Sequence, residues 1–250
     1  MGISLNGKVA LTGGSRGLGA AVALAFADEG ADVAISYEKS TERAKAVVAE
    51  INKRGRQSVA IKSDQGDPST AKTLVAAVIE RLGKLDILVN NAAVAWQGRR
   101  IDDPEIDEAA MDRQWAINVA GVVANIRAAS RVLPDGGRIV SVGSGVGTRA
   151  GFPGTADYAG SKAALIGYSK GVARDLGPRK ITVNVVQAGI MATDMLAGSE
   201  EKLPAGILDL HALGRIATVE EVAAGIVFLA SPAASYVTGS VLDVNGGYLA

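Results

Sequence analysis

The chain has 250 residues, with 26 Lys and Arg against 26 Asp and Glu, a single His and no Cys. The length allows a large core within one domain, and the charge balance argues against nucleic acid or an anionic membrane surface as partner. The lack of Cys excludes disulfides and thiolate chemistry and suits a cytoplasmic protein. No leader or bilayer-spanning apolar stretch is expected.

Short β-branched runs alternate with longer helical patterns along the whole chain. "KVALT" (8–12) reads as a strand, followed by the glycine-rich "LTGGSRGLGA" and a helix over 17–29 that stops at Gly30. "DVAIS" (32–36) is the second strand; a helix over 41–54 follows Ser40 and ends at Gly55. "SVAIK" (58–62) leads to Asp67-Pro68, an N-cap and first helical position, with a helix over 68–82 ending at Gly83. The remaining strands are "DILVN" (86–90), "RIVSV" (138–142), "TVNVV" (182–186) and "SVLDV" (240–244). Long helices are expected around 108–133 and 157–176, and another near 220–230, closed by Ser231-Pro232. Strands apolar on both faces, alternating with helices, predict a doubly wound Rossmann-type α/β fold of about seven parallel strands with helices on both faces. One domain over 1–250 is expected.

Ligands of such sheets sit beyond the carboxyl ends of the strands. Thr12, Gly13, Gly17, Leu18 and Gly19 form a strand–turn–helix there, but not the G-x-G-x-x-G spacing, nor the lysine-bearing triphosphate loop. Backbone N–H groups at a helix start favour a pyrophosphate, and glycines allow it to approach closely. A tight turn with glycines for packing alone is the other reading.

A second signal is "YAGSK". Tyr158 and Lys162, four residues apart on a helix, share a face. A cation beside a phenol lowers its pKa towards working pH, giving a proton donor and acceptor for a carbonyl–alcohol pair. On spacing alone, a packed tyrosine beside a solvated lysine is the commoner arrangement. Ser144 follows the fifth strand, and Asn118 lies mid-helix in "QWAINV". His211 has no partners spaced for catalysis or metal binding, so a packing or surface role is expected. No metal site is expected, and Asp102, Asp103 and Glu105 read as a solvated patch.

Taken together, Thr12-x6-Gly19, "NNAA" (90–93), Asn118, Ser144 and Tyr158-x3-Lys162 resemble the classical short-chain dehydrogenase/reductase family over nearly the whole chain. The resemblance implies hydride transfer between a nicotinamide cofactor and a small-molecule carbonyl or alcohol. Tyr158 would be the general acid/base, Ser144 would orient the substrate oxygen, Lys162 would contact the cofactor ribose and lower the tyrosine pKa, and Asn118 would hold a relay water. Gly13, Ser15, Arg16, Gly17, Leu18 and Gly19 match the phosphate turn. Asp64 matches the carboxylate on the adenine, with Gln65 beside it. Asn91, Ala92 and Ala93 match the adenosine wall; Gly189, Met191 and Thr193 match the segment holding carboxamide and pyrophosphate. Two small residues depart from the family's pattern: Ala93 replaces its usual glycine and Ala188 its usual proline. The family also implies a homotetramer.

The end of the second strand bears on cofactor choice. Tyr37 stands where NAD-preferring members of the family carry Asp, and Ser36, Lys39, Ser40 and Arg16 can meet a 2′-phosphate, so NADPH is expected over NADH. Glu38 opposes this unless it points to solvent. Val94, Trp96, Val146, Phe152, Met195 and Leu196 predict an apolar pocket, favouring a hydrophobic ketone or aldehyde over a sugar. Reduction of 3-oxoacyl groups on acyl carrier protein is an alternative: Arg179 supports it and Asp135 opposes it. A non-catalytic dinucleotide sensor is a third reading, which the full set of Asn118, Ser144, Tyr158 and Lys162 disfavours.

Overall fold

The computed structural model describes residues 3–5, 7–193 and 206–250. In chain order the elements are β1 (Lys8–Thr12), α1 (Gly17–Asp28), β2 (Asp32–Tyr37), α2 (Thr41–Lys53), β3 (Ser58–Lys62), α3 (Thr70–Leu82) and β4 (Ile87–Asn90). There follow α4 (Glu108–Trp115), a π-helical segment (Ala116–Gly121), α5 (Val122–Ala129), β5 (Arg138–Ser144), α6 (Ala156–Leu176), β6 (Thr182–Ala188), α7 (Val219–Ala230) and β7 (Val241–Val244). All seven strands are parallel, in the order β3-β2-β1-β4-β5-β6-β7. This is the expected doubly wound sheet.

Alternation along the strands sorts the core into two layers, because successive side chains point to opposite faces. Val33, Ile35, Ile87, Val89, Val140 and Val142 pack with α1, α2 and α7. Ala34, Leu88, Ile139 and Val183 pack with α3, α5 and α6. Within the first layer, Phe26 is fully buried.

Three local differences from the sequence reading have physical causes. The α3 helix starts at Thr70, because Asp67 accepts from the N–H and hydroxyl of Ser69 and makes a turn rather than a cap. The β6 strand runs on to Ala188, paired with Ser144 and Val244, a ladder position that a proline without N–H would fit poorly. The long helix around 108–133 is interrupted by the π-helical segment, where Gly121 lies so close to the Gln65 backbone that a Cβ would clash. Among the described residues, no helix is long and apolar enough to cross a membrane.

The strand order reverses between β1 and β4. The chain segments that follow these two strands therefore flank an opening that the helices do not cover.

Candidate active site

A cleft of about 710 Å³ runs along that edge. Gly13, Ser15, Arg16, Gly17 and Leu18 line it after β1, and Ser36, Tyr37, Lys39 and Ser40 after β2. Asp64 and Gln65 follow from β3, Asn91, Ala92 and Ala93 from β4, and Gly189, Met191 and Thr193 from β6. Gly19 is the exception. It is buried in α1, and a Cβ there would strike the Gly13 carbonyl and Asn91, so its role is to let the helix close on the turn.

The turn is held from several sides. Gly13 N–H donates to Ser36 Oγ (3.3 Å), Gly14 N–H to the Ser36 carbonyl (3.2 Å), and Asn91 Nδ2 to the Gly13 carbonyl (3.0 Å). Gly13 and Gly17 have φ of 68° and 51°, which glycine adopts without strain. Next to Gly17, the space a Cβ would take reaches to Thr193, 3.4 Å away. This open cradle at the N-terminus of α1 fits a pyrophosphate.

Two residues here are more committed than the sequence implied. Gln65 Nε2 donates to the carbonyls of Ala92 (2.8 Å) and Ile117 (2.9 Å), bracketing the end of β4 to the π-helical segment. Asp64 Oδ1 accepts from Arg113 (2.6 Å) and from Gly66 N–H (2.8 Å). Burial alone would raise the Asp64 carboxyl, but the guanidinium and the N–H outweigh it and hold the group below its ordinary value. Arg113 also approaches Glu38 (3.8 Å), which pairs with Lys39 (3.2 Å). Glu38 is thus flanked by cations and partly exposed, not turned wholly to solvent. Arg113 carries no local sequence signal; it reaches Asp64 from 49 positions away along the chain. Gly66 leaves room for it, since a Cβ there would collide with the guanidinium.

At the other end, Ser144, Tyr158 and Lys162 converge on the cleft. Lys162 is buried; its Nζ donates to the Val142 carbonyl (2.9 Å) and lies 5.7 Å from the centre of the Tyr158 ring. Burial pushes the Tyr158 phenol up to about 12, and a hydrogen bond with Ser144 pulls it partly back. The expected lowering by lysine is therefore reversed in the protein alone. One of the three ammonium donors goes to that carbonyl, and the group lies over the ring. Its own burial lowers it to about 8. Asn118 is buried beside the cleft but does not line it. Its Oδ1 accepts from Val94 N–H (3.0 Å), and its Nδ2 donates to the Val94 carbonyl (2.9 Å) and Ser161 Oγ (3.2 Å). Both amide hydrogens are used. The side chain ties Val94 to Ser161 on α6.

Of the expected pocket residues, Val94, Val146 and Phe152 line the cleft. Trp96 does not: its N–H is anchored to Gln114 Oε1 (2.7 Å), and it lines a separate hollow with Ile101 and Met111. Met195 and Leu196 lie outside the described residues. The sequence reading missed Tyr248 as a lining residue and gave His211 a packing or surface role, whereas both line the cleft with Ile207. Nothing near Tyr248 in the sequence marks it, since the C-terminal turn carries it back to the site.

Residues 13–249 match the family described as enoyl-(acyl carrier protein) reductase. A short-chain dehydrogenase from Burkholderia cenocepacia, solved in complex with NADP, is 43% identical with a TM-score of 0.93, covering 100% of both chains. An uncharacterized oxidoreductase from Methylorubrum extorquens is 40% identical over 97% of this chain and 98% of its own. A versicolorin reductase from Emericella nidulans is 39% identical over 97% of this chain and 96% of its own. With this fold and cleft, the chain belongs to the classical short-chain dehydrogenases/reductases, NAD(P)-dependent oxidoreductases.

The burial of Lys162 has a measurable consequence. Its group falls from 10.5 to about 8 on folding, so between those values the unfolded chain binds more protons. Its contribution to stability is therefore complete above the upper value and is lost as pH falls to the lower. Tyr158, raised from 10.0 to about 12, acts in a higher window, losing its contribution as pH rises through it. Urea unfolding of the wild type and Lys162→Met should show their stability difference growing by about 2 kcal/mol from about pH 8 to 10. A flat difference would show that the ammonium stays hydrated.

Proposed function

We propose that the protein reduces a hydrophobic ketone or aldehyde to the alcohol with NADPH, reversibly, and that residues 1–250 form one domain carrying both cofactor and catalytic sites. The observation that carries this reading is Ser144, Tyr158 and Lys162 meeting in the same cleft as the glycine cradle. When bound, NADPH supplies the hydride that the carbonyl carbon receives. Tyr158, kept protonated by burial, gives its proton to the carbonyl oxygen, and the Ser144 hydroxyl holds that oxygen in line. Lys162, fixed by Val142, offsets the charge left on the phenolate and would contact the cofactor ribose.

NADPH is favoured over NADH by the charges at the adenosine end. No carboxylate stands at Tyr37, and both nearby ones are engaged, Asp64 by Arg113 and Glu38 by Lys39 and Arg113. Arg16 completes the basic side of the turn. The acyl-carrier alternative loses support at Arg179, which donates to the Ser130 and Leu133 carbonyls and to Asp135, stapling a loop rather than offering charge. A sensor has no use for the three converged side chains. The lack of Cys suits a cytoplasmic setting. Trp115, 38% exposed beside α6, and Tyr236, fully exposed before β7, mark faces for assembly into a homotetramer.

Three outcomes follow from this reading. Tyr158→Phe should lose about 10²- to 10⁴-fold in kcat while NADPH affinity stays within about threefold, measured by steady-state absorbance and fluorescence titration. Wild-type turnover in that variant would overturn the mechanism. In kcat/KM, NADPH should be preferred by about ten- to a hundredfold, and Arg16→Ala should reduce the margin; preference for NADH contradicts the assignment. Light scattering should give about 100 kDa for four 25.4 kDa chains, against which a stable monomer would count.

A further inference from the structure

His211, the single histidine of the chain, is 6% exposed and belongs to the cleft wall. Its Nδ1 lies 3.0 Å from the Ile207 carbonyl, which can only accept, so in the neutral ring Nδ1 carries the proton. Nε2 is then an acceptor, and it has no partner among the described residues. The ring packs at 5.1 Å from that of Tyr248. Tyr248 has spent its hydroxyl, donating to the Arg149 carbonyl (2.8 Å) and accepting from Gly151 N–H (3.0 Å), so it offers the cleft only its ring. That ring rests on Gly145, where a Cβ would sit 2.6 Å away, and Gly145 follows Ser144 directly. Packing contacts thus lead from Gly145, next to Ser144, across Tyr248 to the His211 ring. Phe152 adds a third aromatic side chain to the same cleft.

An acceptor on a residue of the cleft wall is met best by a ligand that carries a donor. Aromatic walls with one convergent polar group select a flat apolar body bearing a matching donor. We propose that the substrate is an aromatic ketone or aldehyde carrying a hydroxyl group away from the reacting carbonyl, and that His211 Nε2 accepts from that hydroxyl. This inference rests on the reductase reading and gives it a substrate class.

The test uses the purified enzyme with NADPH and matched aryl ketones bearing hydroxyl or methoxy groups at the same ring position. The wild type should prefer the hydroxyl partner by about tenfold or more in kcat/KM. His211→Asn keeps a donor for the Ile207 carbonyl but loses the reach into the cleft, and its hydroxyl-to-methoxy ratio should fall close to one. His211→Gln extends an amide oxygen towards the place of Nε2, and part of the ratio should return. Equal rates for hydroxyl and methoxy ketones in the wild type overturn the inference and leave the reductase standing. So does an Asn variant that slows both alike, since a merely structural histidine would do that. Failure to oxidise NADPH with any carbonyl overturns the reductase reading, and this inference with it.

Discussion

The peptide of Gly13 is where four elements meet, and the cleft depends on how tightly they can. Ser36 at the end of β2 accepts its N–H, Asn91 after β4 donates to its carbonyl, and α1 closes on it through Gly19. Backbone approach at this distance is possible only where side chains are missing or small. A methyl group at Gly19 would push α1 away from the turn and loosen the N–H groups at its start. The same junction fixes the carboxyl ends of β1, β2 and β4, so the cradle and the adenosine wall share one set of restraints.

The catalytic end is built by a second set, again mainly through backbone groups. Val142 in β5 holds the Lys162 ammonium, and Asn118 ties Val94 to Ser161 on α6. Ser161 in turn donates to the Tyr158 carbonyl (2.8 Å), one turn from the tyrosine side chain. Burial raises the phenol and lowers the ammonium, so proximity alone does not prepare this pair as phenolate and cation. Desolvation is the largest influence on both groups.

Electrostatics at the adenosine end show a similar compromise. Asp64 and Glu38 put two carboxylates on one side of the cleft, and their field would oppose an anionic group there. Arg113 meets both, at 2.6 and 3.8 Å, from a helix that has no other part in the cleft. These groups are partly exposed, so the effect of each pair is modest and screened by salt. Its value lies in cancelling repulsion locally.

Sequence alone determined the fold and most of the residues that line the cleft, because both rest on local pattern. Short β-branched runs apolar on both faces, with glycine or proline stops, set seven strands, and Tyr158-x3-Lys162 needs only one helical turn to share a face. Strand and helix ends were legible to within a few residues, missing where a side chain such as Asp67 chose a turn over a cap. The tertiary structure decided what depends on distant chain segments. Arg113 reached Asp64 across 49 positions, Tyr248 came back to Gly151 across 97, and Trp96 turned out of the pocket once Gln114 held its N–H. The direction of the Tyr158 shift was likewise beyond sequence, because desolvation belongs to the packed environment and not to the neighbouring residue.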